Sequence, residues 1–262
     1  MTQKFPFLPE RPAQPRDYGI TMMMDKGLSL REAENFIQSS SEYTDLVKLG
    51  FGTALITKNL SEKVKLYKSA GLKPYFGGTL FEMFIVRGMF DDYRRFLEEN
   101  EMEMAEVSDG SINLPHVQKL EYIQKLSEQV TVLSEVGSKR VDIFLPPDEW
   151  VSEMKTELEA GAWKVIAEAR ESGTIGIYNK DGSANIALIE DIRHHVKIEN
   201  VLWEAPKKNQ QVWFIKSMGA NVNLGNIAPN EVVPLEALRQ GLRGDTFFEE
   251  LPEDVVQEYR PE

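Results

Sequence analysis

The chain has 262 residues, no cysteine, and 42 acidic against 30 basic side chains, for a net charge of −12. Its length suits one barrel of roughly 250 residues or two smaller domains. The lack of cysteine excludes disulfides, thiolate metal ligands and a cysteine nucleophile, and the acidity argues against nucleic acid or an anionic membrane as a partner.

Residues 1–17 carry Pro6, Pro9, Pro12 and Pro15 at every third position. That spacing predicts an extended arm, either disordered or laid across a partner subunit, and with it a homo-oligomer. No secretory signal and no run of about 18 apolar residues occurs, so a cytoplasmic protein is expected.

From residue 18 to 246, short apolar runs alternate with helical stretches. The runs are Ile20 to Met24, Thr44 to Leu49, Lys73 to Phe76, Met104 to Ser108, Val130 to Ser134, Lys164 to Ala167, Asn200 to Trp203 and Asn221 to Leu224. Helices are predicted for Leu30 to Gln38, Ser61 to Ala70 before Gly71, Asp91 to Asn100 and Val117 to Glu128. Four more follow: Asp148 to Ala160 before Gly161, Ile186 to His194, Gln210 to Met218 and Glu231 to Arg239. This alternation predicts an α/β fold, a single-domain (β/α)8 TIM barrel. Residues 247–262 read as an acidic tail with a frayed end.

Side chains alternate faces along a strand, so parity decides which groups share the barrel mouth. Glu106 shares a face with Ser108 and Glu168 with Arg170, while Glu135 and Glu204 end the fifth and seventh runs. Four carboxylates converging in a poorly hydrated cavity need protons, cations or a bridging ion. Oxygen ligands without cysteine favour a hard ion, most simply Mg²⁺; the alternative is that individual glutamates pair with Lys48, Lys139 or Arg170. Lys48 lies inside the second run, where a charge needs a partner or a task.

Gly50-Phe51-Gly52-Thr53 and Gly77-Gly78-Thr79 follow strands, either as tight turns or as places where backbone N–H groups approach an anion. Barrels often bind phosphate in the loops after the seventh and eighth strands, which brings in Asn226 and Arg243. His116, His194 and His195 read as core or surface residues, and no serine has the partners of an acyl-transfer triad.

Ten blocks together resemble the phosphosulfolactate synthase family from about Gly19 to Thr246. They include Asp25-Lys26-Gly27-Leu28, Val47-Lys48-Leu49-Gly50-Phe51-Gly52-Thr53, Gly77-Gly78-Thr79-Leu80-Phe81-Glu82 and Glu106-Val107-Ser108-Asp109-Gly110. Further blocks are Glu135-Val136-Gly137-Ser138-Lys139, Glu168-Ala169-Arg170-Glu171-Ser172-Gly173, Glu204-Ala205-Pro206, Gln210-Gln211, Asn223-Leu224-Gly225-Asn226-Ile227 and Leu242-Arg243-Gly244-Asp245-Thr246.

The resemblance implies Mg²⁺-dependent addition of sulfite to C3 of phosphoenolpyruvate, giving (2R)-phospho-3-sulfolactate, a step that coenzyme M synthesis and other sulfonate routes could share. It implies metal ligation by Glu106, Glu135 and Glu168 with Glu204 as a fourth candidate, and Lys139 as proton donor to C2. Lys48 and Arg170 would offset sulfite and carboxylate charge. Lys26, Asn226 and Arg243 would hold phosphate, with Gly77, Gly78 and Asn223 completing the substrate-binding set. Ser138 stands where the family often has a second lysine, which removes one positive charge. Two other readings fit the same residues: a Mg²⁺ barrel using another phosphorylated enol or nucleophile, and a non-catalytic, stress-associated binding relative.

Overall fold

The computed structural model describes residues 5–137, 145–170 and 172–260. Eight strands, β1 (Thr21–Asp25), β2 (Leu46–Leu49), β3 (Lys73–Phe76), β4 (Met104–Val107), β5 (Thr131–Val136), β6 (Ala162–Ala167), β7 (Val201–Glu204) and β8 (Leu224–Ile227), form a closed barrel in chain order. All eight pairings are parallel, and β1 closes against β8.

The outer layer comprises α1 (Leu30–Ser40), α2 (Leu60–Ser69), α3 (Gly78–Ile85), α4 (Phe90–Glu99), α5 (His116–Ser127), α6 (Pro147–Glu159), α7 (Ile186–His195), α8 (Lys208–Met218) and α9 (Val232–Arg239), with α10 (Glu253–Tyr259) in the acidic tail. Among the described residues, no helix is long and apolar enough to cross a membrane.

Two helices are absent from the sequence reading. α3 begins at Gly78, in the glycine pair that reads as a turn or as an anion-approaching backbone, and α10 lies within the expected frayed tail. The last strand also lies three residues later than Asn221 to Leu224. The side chains of Asn221 and Asn223 explain the offset: Asn221 donates to the Glu10 carbonyl, and Asn223 accepts from Ile20 N–H and donates to the Glu199 and Val201 carbonyls. Asparagine amides that compete for backbone partners favour the turn before a strand over the strand itself.

The barrel lumen is plugged by Ile20, Met22, Leu46, Tyr75, Met104, Leu133, Ile166 and Leu202, all at most 2% exposed. β8 contributes Gly225 to this layer; a Cβ there would stand 2.8 Å from the Met22 methyl and 3.3 Å from Leu202 Cγ. The plug gives the polar residues above it a dry floor.

Beneath the plug, the arm is bonded to the barrel of its own chain. Arg11 pairs with Glu236 at 3.2 Å and donates to the Gly19 carbonyl, while Arg16 pairs with Asp45 at 3.2 Å and donates to the Pro12 and Glu42 carbonyls.

Candidate active site

Two residues beyond each of five plug side chains stands a charged one: Leu46 leads to Lys48, Met104 to Glu106, Leu133 to Glu135, Ile166 to Glu168 and Leu202 to Glu204. The period of a strand thus turns an apolar layer into a charged one, one pleat nearer the mouth. All four glutamates are at most 2% exposed, and Lys48 is 6% exposed.

Lys48 is central to this layer. Its Nζ lies 2.9 Å from Glu106, 3.2 Å from Glu135 and 3.4 Å from Glu204. Burial opposes its charge, but the three carboxylates outweigh burial and hold its pKa well above the ordinary lysine value. Glu204 responds in the opposite direction: burial first, then repulsion from Glu135 and Glu106, raises its carboxyl to about 7 despite Lys48 and the Ala169 N–H that it accepts at 3.0 Å. Glu135, Glu168 and Glu204 each present one carboxylate oxygen, and the three oxygens lie within 4.8 Å of one another. Such a buried, all-oxygen set matches the donors a hard divalent cation takes.

Glu106 is oriented differently from that trio. Its Oε1 accepts the Gly78 N–H at 2.5 Å, at the first turn of α3, where the helix dipole favours an anion. Gly78 permits this approach, because a Cβ would stand 2.3 Å from Ser108 Oγ and 2.9 Å from Glu106 Oε1. Both glycines of the pair therefore serve close packing: a Cβ on Gly77 would meet Lys48 Cε at 3.0 Å. We expect Gly78→Ala to cost about 1 to 3 kcal/mol through overpacking and to lower kcat by displacing Glu106. Gly244→Ala, with nothing within 4 Å of the added carbon, is the control. Thermal melts and steady-state kinetics on the two variants check this, and equal behaviour would contradict it.

A cavity of about 420 Å³ opens above the charged layer, walled by Lys48, Glu135, Glu168 and Glu204 with Gly77, Arg170 and Asn226. Arg170 is an exposed rim residue. Asn226 has a left-handed backbone, φ 58°, and its side-chain amide donates to the Ala169 carbonyl. Lys26 sits in the loop after β1, its Nζ 5.9 Å from the centroid of Phe51, which also walls the cavity.

Two expected substrate residues are elsewhere. Asn223 precedes β8 at the floor of the barrel, where its hydrogen bonds to Ile20, Glu199 and Val201 consume the amide. Arg243 follows α9, half-buried near Asp245 and outside the cavity wall. Lys139 and Ser138 lie outside the described residues.

Thr79 and Ser172, which belong to the blocks opening at Gly77 and Glu168, join the wall, as does Ser111, which the sequence does not single out. Ser111 is fixed by Glu82, whose Oε1 accepts the Ser111 N–H at 3.3 Å and the Ser108 hydroxyl at 2.6 Å. Glu82 closes the block that begins at Gly77, so its presence there is a signal, as is that of Ser172 in the block that begins at Glu168; Ser111 offers none.

The family model described as (2R)-phospho-3-sulfolactate synthase (ComA) matches residues 9–245. The chain belongs to the phosphosulfolactate synthase family. It is an enzyme of that kind. It is 39% identical over 244 residues to the phosphosulfolactate synthase of Bacillus subtilis, covering 92% of this chain and 97% of that one. To the phosphosulfolactate synthase of Methanothermobacter thermautotrophicus it is 40% identical over 250 residues, covering 93% and 97%. Among solved structures, 3-hexulose-6-phosphate synthase from Salmonella typhimurium superposes with a TM-score of 0.54 at 11% identity, covering 83% of this chain and 98% of that one. That likeness concerns the barrel fold alone. Membership in the phosphosulfolactate synthase family thus rests on the sequence matches, which span the whole charged layer from Lys48 to Glu204.

Proposed function

We propose that this family member adds sulfite to C3 of phosphoenolpyruvate in a Mg²⁺-dependent reaction, giving (2R)-phospho-3-sulfolactate. The observation that carries the metal assignment is the buried trio of Glu135, Glu168 and Glu204, whose facing oxygens lie within 4.8 Å. Its donors suit Mg²⁺, and the pKa of Glu204, raised by burial and its carboxylate neighbours, marks a set in which added positive charge is favourable. When bound, the ion would draw charge from the substrate carboxylate and ease the build-up of negative charge there as sulfite attacks.

The balance of the step is simple. The sulfur lone pair forms the C3–S bond, the C2–C3 π pair moves toward C2 and the carboxylate, and C2 then gains one proton; the phosphate ester is untouched. Lys139 is our proposed donor of that proton, on the family resemblance. Lys48 holds Glu106, Glu135 and Glu204 together and reduces the negative charge that an anionic substrate meets on entry. Arg170 at the rim, with Lys26 beside Phe51, is positioned to draw in anions. Thr79, Ser111, Ser172 and Asn226 offer neutral hydrogen-bonding groups to the phosphate and carboxylate oxygens.

The test is direct: incubate the purified protein with phosphoenolpyruvate, sulfite and Mg²⁺ and follow phosphorus and proton resonances for a phosphorylated sulfonate. Loss of phosphoenolpyruvate with appearance of that product is expected. Unchanged substrate would overturn the assigned reaction.

A further inference from the structure

Outside the lumen, a second charged cluster is built around Lys119, a fully buried lysine in α5. Its Nζ donates to Asp109 Oδ1 at 2.9 Å and to the backbone carbonyl of Glu135 at 2.7 Å, and it pairs with Glu157 Oε1 at 2.8 Å. Glu157, fully buried in α6, also faces His116 Nε2 at 3.3 Å. Lysine is almost never fully buried without a partner. Here the partners come from three different places: the loop after β4, the end of β5 and the last turns of α6.

The β-sheet register explains why a side chain is needed there. β4 ends at Val107, opposite Ser134, so β5 runs two residues beyond its neighbour. On the other side of β5, the Val136 carbonyl accepts the Glu168 N–H at 3.1 Å. Successive strand carbonyls point to opposite sides, which directs the Glu135 carbonyl toward the space that β4 has vacated. The Lys119 ammonium fills that space and supplies the donor that a longer β4 would have provided.

We infer that Lys119 is a positioning residue: it anchors the Glu135 backbone and the Asp109 loop from behind, and so sets where the Glu135 carboxylate stands in the ion-binding trio. The inference rests on the proposed role of that trio. Lys119 itself does not line the cavity but touches Glu135, which does, so its influence passes through that residue. Outer partners that orient a ligand typically contribute 10- to 100-fold to metal affinity.

The experiment uses the full chain, with Mn²⁺ as the probe for the ion. Lys119→Met is made alone and together with Glu157→Gln, the double variant removing the fully buried pair together, so that the carboxylate left without the ammonium is the part-exposed Asp109. Mn²⁺ binding is measured by paramagnetic resonance for the wild type, Glu135→Gln and both Lys119 variants, alongside kcat and KM for phosphoenolpyruvate. The expected result is a cooperatively folded double variant with Mn²⁺ affinity reduced about tenfold or more and a fall in kcat exceeding any rise in KM.

Wild-type Mn²⁺ affinity and kcat in the double variant would overturn the positioning role while leaving the trio intact. If the wild type itself binds no Mn²⁺, the ion reading fails, and amide exchange then judges Lys119 separately. Faster exchange over residues 134–137 in the double variant supports the anchor, and unchanged exchange there refutes it.

Discussion

Lys48→Met is expected to reduce kcat by a factor of about 10² to 10³ and to make the fold depend on a divalent ion. The ammonium lies within 3.4 Å of three carboxylates that are at most 2% exposed. Removing one partner of a buried charged group typically costs 3 to 5 kcal/mol, because the remaining charge has neither water nor a counterion. At roughly 2 to 4 °C per kcal/mol for a chain of this size, the melting midpoint in chelator should fall by about 6 to 20 °C.

Saturating Mg²⁺ at a hundred times its dissociation constant would return about 2.7 kcal/mol, so the variant should regain much of its stability without regaining turnover. Thermal melts in chelator and in Mg²⁺, paired with steady-state kinetics, measure both effects. A variant with an unchanged midpoint in chelator and kcat within tenfold of wild type would show that Lys48 neither balances the carboxylates nor serves the reaction.

The second large effect is on pH dependence. The Glu204 carboxyl is raised from 4.5 to about 7, by burial first and by Glu135 and Glu106 after it, against the pull of Lys48. Between those values the folded chain keeps a proton that the unfolded chain releases, so this group's contribution to stability is full below pH 4.5 and is lost as pH rises through about 7. The difference corresponds to something on the order of 3 kcal/mol, or about 6 to 12 °C in midpoint.

In chelator the wild type should therefore melt earlier at pH 8 than at pH 5 from this source, and Glu204→Gln should flatten that slope. Mg²⁺ should stabilise the wild type more at pH 8 than at pH 5, because its ligands must be ionised. Identical slopes for wild type and Glu204→Gln would remove Glu204 as the titrating group.

Much of this is legible in the amino-acid sequence. Strand parity and the ends of the runs brought Glu106, Glu135, Glu168 and Glu204 to one mouth, and Lys48 stood out as a charge inside an apolar run; the structure places all five one pleat above the apolar plug. The same residues left open whether the glutamates pair with a cation or bind an ion, and Lys48 does pair with three of them.

What sequence reading missed depended on interactions distant in the chain. β8 starts three residues late because the amides of Asn221 and Asn223 are held by Glu10, Ile20, Glu199 and Val201, and that offset leaves Asn223 at the floor. Gly77-Gly78 reads locally either as a turn or as a place where backbone N–H groups meet an anion; it opens a helix, and the Gly78 N–H, the first of α3, meets the carboxylate of Glu106, 28 residues away. Lys119 sits at a helix position indistinguishable from a solvated lysine until β4 ends short of β5 and leaves a carbonyl to satisfy.

The central claim is that the carboxylate trio holds a divalent ion on which carbon–sulfur bond formation depends. One measurement bears on it most directly: initial rates of phosphosulfolactate formation from phosphoenolpyruvate and sulfite, first with exhaustively chelated protein and then across a Mg²⁺ titration. The account predicts no product before Mg²⁺ is added and a saturable return to full rate afterwards. Full turnover by the chelated enzyme would contradict it.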